Sequence, residues 1–139
     1  MKMPRCKLFL CLLVVISLGS TSALATTDRA SERITQYFIV PVSQVNNTHK
    51  MQCSVRTNAI MQRIGIYSID IDLKDGDNWI DSTDYDINDN NMFSYDTLKY
   101  SKFITIKGNP GDQYRINVVF FAEDSTGTDY RSSEAYITI

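Results

Sequence analysis

The residues of this sequence able to do chemistry are few, and their spacing tests each set. His49 and Cys53 would make a Cys–His nucleophile pair, and His49 is the only histidine. In one extended strand, residues four apart lie about 13 Å from each other, far beyond hydrogen-bonding reach. A Ser–His–Asp triad would also need His49, which sits beside Asn46-Asn47-Thr48 with no nucleophile-elbow pattern nearby. The expectation is a solvated turn histidine and a buried core thiol. Asp70 and Asp72 alternate onto one strand face about 7 Å apart, a separation that glycoside hydrolases use. A strand face without a cleft cannot raise the pKa of one carboxyl by burial, so a solvated outer face is the simpler reading. A hydrolase using Asp carboxylates ranks third among the functions considered, and the chain is expected not to be an enzyme.

Calcium is the second candidate chemistry. Nine Asp residues fall between Asp70 and Asp96, and oxygen-rich loops are what a hard divalent cation needs. The EF-hand template fails, because Gly76 at its sixth position puts Ile71 where the first Asp ligand belongs. Asn90-Asn91-Met92-Phe93-Ser94 matches the short Asn/Asp-Asn/Asp-x-x-Ser calcium pattern of βγ-crystallins. Asp81, Asp84, Asp86, Asp89 and Asn90 are therefore the calcium candidates of a structural or surface-associated component. The alternative is a turn-rich loop that keeps the domain soluble. No other cofactor is expected.

What positions these groups depends first on the N-terminus. Lys2, Arg5 and Lys7 precede an apolar run from Leu8 to Leu18, and Ala23-Leu24-Ala25 makes a small-residue cleavage site. Residues 1–25 thus read as a secretory signal peptide, with a secreted, extracellular product and no membrane insertion once the leader is removed. Of 139 residues, 114 remain, enough for one core. The leader takes three of 14 basic residues and none of 16 acidic ones, leaving 11 against 16, a charge of −5. Such a domain is a poor partner for nucleic acid. Cys6 and Cys11 leave as well, so Cys53 has no intramolecular disulfide partner and packing alone must hold the fold.

Residues 26–33 are polar and read as a flexible N-terminal segment, and 34–139 as the domain. From Ile34 onward, short alternating runs are punctuated by Asn, Asp, Gly and Pro, which predicts an all-β domain. Strands are expected at 35–43, 50–57, 66–73, 78–85, 102–107, 113–123 and 130–139, with one helical turn at 59–64 and a long connection at 86–100. Period-two alternation assigns Met51, Cys53 and Val55 to the core, with Tyr67, Ile69, Ile71 and Leu73. Tyr114, Ile116, Val118, Phe120 and Ala122 join them, as do Ala135, Ile137 and Ile139. The opposite face then carries Ile66, Asn117, Val119, Phe121 and Tyr136, an apolar and aromatic patch among polar groups. Such patches mark interaction sites for proteins, and aromatic rings also stack on sugars.

Two turn motifs set the architecture. In Lys74-Asp75-Gly76-Asp77-Asn78-Trp79, Asp75-Gly76 signals a type I′ hairpin, and Trp79 just after it is placed to cover one end of the domain. In Asn109-Pro110-Gly111-Asp112-Gln113-Tyr114, Pro110 and Gly111 set a tight turn, and Tyr114 can tuck in its ring while its hydroxyl bonds backbone upstream. This segment resembles the Pro-Gly-x-x-Tyr turn that opens strand F of fibronectin type III domains. With the leader, the Asp-Gly-x-x-Trp hairpin and Met92-Phe93, the chain resembles a family of small secreted proteins of Gram-positive, clostridial-type bacteria. The resemblance implies an immunoglobulin-like or fibronectin type III-like antiparallel β-sandwich of about seven strands, with no assigned catalytic residues. The function expected first is a secreted, non-enzymatic binding module for a protein or glycan partner.

Overall fold

A computed structural model of the protein describes residues 33–139; the leader and residues 26–32 lie outside them. Six strands form one curled antiparallel sheet: β1 (Ile34–Val45), β2 (Thr48–Asp75), β3 (Asn78–Asp86), β4 (Phe93–Lys107), β5 (Gln113–Asp124) and β6 (Gly127–Thr138). The expected all-β class holds, with no helix among the described residues.

The organising element is β2, 28 residues long. Its first half pairs with β1 through Thr57 on one side and with the later part of β4 through Arg56 on the other. Its second half pairs with β5 from Arg63 on one side, and with the start of β4 from Met61 and then β3 on the other. β6 extends the sheet beyond β5. Inward residues from both halves of β2 meet in one core, Met51, Cys53 and Val55 from the first and Ile64, Ile66, Ile69 and Ile71 from the second. Tyr114, Ile116, Val118, Phe120 and Ala122 of β5 complete its centre.

Where the sequence predicts a helical turn at 59–64, β2 runs on as strand. Its register against β4 breaks between Arg56 and Met61, and the buried Thr57 hydroxyl bonds the Ala59 carbonyl (2.7 Å). The two expected strands at 50–57 and 66–73 are therefore parts of one strand. The expected long connection at 86–100 is also shorter, since β4 begins at Phe93.

A second irregularity reverses a face assignment. The β2–β5 register shifts between Ile66 and Ser68, so Ile66 turns into the core while Tyr67 turns out, 44 % exposed. A one-residue slip exchanges the faces of a strand. His49, expected to be solvated, faces inward on the same side as Met51, and both ring nitrogens are buried without a hydrogen-bond partner.

The turns behave as their residues dictate, with one change. Between β2 and β3 the two-residue loop is Gly76-Asp77, and of these only Gly76 has positive φ (59°). That is the Gly-first type II′ pattern, not the I′ turn expected at Asp75-Gly76. The I′ pattern instead joins β1 to β2, where Asn46 and Asn47 both have positive φ (47° and 59°). Gly111 takes φ 93° in the Pro110-Gly111 turn, and buried Tyr114 donates its hydroxyl to the Lys107 carbonyl (3.4 Å). Arg33, expected in the flexible segment, holds Asp124 through two hydrogen bonds (2.7 and 2.9 Å), tying the start of β1 to the β5–β6 hairpin.

Candidate binding face

The side of the β3–β2–β5–β6 region turned away from the core is built as rows across four strands, because antiparallel partners share a face. The first rows hold Trp79, Lys74, Gln113 and Thr138, then Asp81, Asp72, Arg115 and Tyr136. Next come Asp84, Asp70, Asn117 and Glu134, then Asp86, Ser68, Val119 and Ser132. Phe93, Gly65, Phe121 and Tyr130 follow.

Trp79 closes one end of this face by reaching across it. Its ring lies 5.7 Å from that of Tyr136, two strands beyond β2. The Arg115 guanidinium sits 5.1 Å over the indole, and the Lys74 ammonium 6.0 Å. Arg115 is itself fixed by two hydrogen bonds to one Asp72 carboxylate oxygen (2.9 and 2.7 Å), a bond that raises its pKa. Tyr136, 60 % exposed, donates to Glu134 (2.5 Å), which holds the phenol pKa above its ordinary value. Beside them Lys74, Trp79, Gln113, Tyr136 and Thr138 line a shallow depression of about 430 Å³.

The middle of the face is acidic. Asp70 stands opposite Asp84, and Asp72 opposite Asp81. Desolvation, then the charges of Asp72 and Asp81, push the Asp70 carboxyl up. Asp84 is raised by desolvation and then by Asp81, Asp70 and Asp72.

At the far end the rings gather again. Phe93 meets Tyr95 (5.3 Å) and Phe121 (6.0 Å), both edge-on, and Tyr67 meets Tyr130 edge-on at 5.4 Å. Phe93 reaches Phe121 because Gly65 lies between them. A Cβ on Gly65 would stand 2.3 Å from the Met92 carbonyl oxygen and 2.5 Å from Phe93 Cα.

No family model matches the chain, and neither does a curated protein or a solved structure.

Of the patch expected from the sequence, the structure keeps part. Tyr136 is exposed and Asn117 and Val119 are half-buried, but Ile66 (0 %) and Phe121 (1 %) are buried. Ile66 turns inward at the bulge, and Phe121 lies under Phe93 and near the Arg63 guanidinium (5.8 Å). Trp79, Lys74 and Arg115, with Tyr67 and Tyr130, take the place of those two residues. The signal for Trp79 was its place just after the Asp75-Gly76 hairpin, on the parity shared with Asp72 and Asp70; the observed loop sets it opposite Lys74.

The calcium candidates do not converge. Asp81 and Asp84 lie along β3, whereas Asp86 and Asp89 accept from the backbone N–H groups of Asn88 and Asp86 (both 2.7 Å) in the following turn. The carbonyls of Asn90 and Asn91 receive the Lys102 ammonium (3.2 and 3.3 Å), and Tyr100 donates to Asn91 as well. Met92, in the crystallin-like pattern, is buried. Among the described residues, no group of three or more His, Cys, Asp or Glu side chains is placed to hold a metal ion.

Cys53 and His49 share the inward face of β2, four residues apart along an extended strand. Burial pushes the Cys53 thiol up to about 12, against a small opposing effect of Lys102. A thiol so placed is a core side chain, since the thiolate is the reactive form.

Proposed function

We propose that this chain is a secreted, non-enzymatic binding module that recognises a protein or glycan through the face bearing Trp79 and Tyr136. The observation that carries the reading is the exposure of rings on one strand face: Tyr67, Tyr130 and Tyr136 are 44, 50 and 60 % exposed. Exposed aromatic residues interleaved with polar groups suit recognition, since each ring offers a large contact area with little entropy to lose.

The same reading takes the curled sheet as a fibronectin type III-like or immunoglobulin-like sandwich. The long β2 then stands for two strands, giving seven. One layer is β1, the first half of β2 and β4; the other is β3, the second half of β2, β5 and β6. The buried Tyr114 at the start of β5 supports this, as a tyrosine corner. Secretion rests on the basic, apolar and small-residue leader in residues 1–25.

Retention of the mature protein on cell-wall or host-surface material tests the function. Trp79→Ser and Tyr136→Ser should abolish retention with little change in melting temperature. Undiminished retention by both variants would refute the assignment to this face.

A further inference from the structure

The face has an internal order that recognition in general does not require. Rings stand at both ends and carboxylates between them. Trp79 and Tyr136 form one end, and Phe93, Tyr95, Tyr67 and Tyr130 the other. Asp70, Asp84 and Glu134 lie in the interval, and Asp81 stands level with Tyr136 at its border.

Two carboxylate pairs, Asp70 with Asp84 and Asp72 with Asp81, face each other across β2 and β3. Like charges directly opposite on a sheet destabilise it. Arg115 compensates Asp72 (2.7 Å), but among the described residues no cation pairs with Asp70, Asp81 or Asp84. The chain thus carries a negative belt, in which Asp72 alone is paired with a cation among the described residues, between the two aromatic clusters of this face.

We propose that this face docks a basic, extended segment of another protein. Lysine or arginine side chains enter the carboxylate belt, and a ring at each end rests on the two aromatic clusters. The proposal rests on the binding reading above and names its partner class. Charge complementarity selects a cationic partner. The Trp79 indole already carries the Arg115 guanidinium at 5.1 Å and Lys74 at 6.0 Å, so it is less open to a stacked sugar.

Size and spacing agree with a peptide. Four strands at about 4.8 Å and nine residues at about 3.3 Å make a face on the order of 500 Å². That is below the roughly 800 Å² per partner of a standard stable interface and suits a short segment. Tyr130 and Tyr136 are six residues apart on β6, about 20 Å. An extended ligand with rings at positions 1 and 7 and lysines at 3 and 5 presents the same spacing on one side.

The test titrates the mature protein with the peptide Tyr-Ser-Lys-Ser-Lys-Ser-Tyr and with its Glu-for-Lys counterpart, at low salt and at 0.5 M salt. The lysine peptide should bind at least tenfold more tightly than the glutamate peptide, and the difference should shrink at high salt. Asp70→Asn with Asp84→Asn should weaken lysine-peptide binding tenfold or more without lowering the melting temperature, because it removes opposed like charges. Phe103→Ala, on the opposite side of the domain, should change nothing.

Equal binding of both peptides, indifference to the Asp70/Asp84 change, or no lysine-peptide binding at millimolar concentration would overturn the proposal. Binding of a neutral chitin hexasaccharide, lost in Tyr136→Ser, in place of peptide binding would overturn it and leave the binding face standing. Dimerisation through the same residues in sedimentation, with no peptide bound, would overturn it in favour of a second copy.

Discussion

Replacing Phe121 separates two roles that one strand face can play. Phe121 points away from the central core, on the side that carries Tyr136, yet it is 1 % exposed against 60 % for Tyr136. Phe121→Ala should remove roughly 120 Å² of buried apolar surface, worth about 3 kcal/mol at about 25 cal/mol per Å². Loss of the edge-on contact with Phe93 at 6.0 Å adds about 0.5–1.5 kcal/mol. The total, about 3–5 kcal/mol, matches typical buried Phe→Ala changes. It is a large part of the roughly 5–15 kcal/mol that holds a domain folded. At about 4–8 °C per kcal/mol, the melting temperature should fall by about 12–40 °C. Tyr136→Ala should cost less than about 1 kcal/mol. Urea unfolding followed by far-UV circular dichroism measures both free energies. Phe121→Ala within about 1 kcal/mol of the parent, or a larger loss for Tyr136→Ala, would refute the assignment of cover to Phe93 and exposure to Tyr136.

Three further outcomes follow from local geometry. Gly65→Ala should destabilise by about 2–4 kcal/mol, because its Cβ would meet Met92 backbone at 2.3 Å and strain the Ile66 N–H bond to the Met92 carbonyl (2.7 Å); faster hydrogen exchange at the Ile66 amide is the local check. Cys53, pushed up to about 12 by burial, should react with a disulfide reagent at pH 8 only as fast as the domain unfolds, so labelling within minutes without denaturant would contradict its placement. Arg33 first, then Thr126, hold the Asp124 carboxyl below the usual carboxylate range. A lowered folded-state pKa gives stability that is present above the unfolded value of about 4 and lost as pH falls toward the folded one. Asp124→Asn should therefore be less stable than the parent at pH 7 in urea titrations, and the difference should fade below about pH 4.

The fold was legible wherever period two ran unbroken. Gln113 to Val118 alternates cleanly, and every inward residue from Tyr114 to Ala122 is buried as its parity requires. The reading failed where parity changed within a strand. At Ile66–Tyr67 the run Ile-Tyr-Ser-Ile is apolar on both parities, so nothing local marks which residue is extra. The bulge is decided by the partner, since Phe120 and Val119 of β5 take Ile66 and Ser68 in successive steps. The unbroken passage of β2 through residues 57–60 was hidden for a related reason. Thr-Asn-Ala-Ile has the composition of a turn, and the chain stays extended between the paired stretches that end at Thr57 and resume at Met61.

The candidate site was less legible than the fold, and the reach of side chains explains why. Alternation places Asp70, Asp72, Arg115, Asn117 and Tyr136 on one face correctly, because that needs only parity. It cannot place Trp79, whose ring crosses β2 and β5 to rest 5.7 Å from the Tyr136 ring, nor Phe93, which covers Phe121 only because Gly65 lacks a side chain. Both rings move material between cover and contact surface: one buries what parity exposes, and the other makes a corner where parity shows only charge. Between them Asp70 and Asp84 keep two carboxylates opposed at a cost to stability, although a Thr or Ser at either position would suit the strand. That opposed pair, on a face bounded by exposed rings, is the physical reason for proposing a cationic ligand.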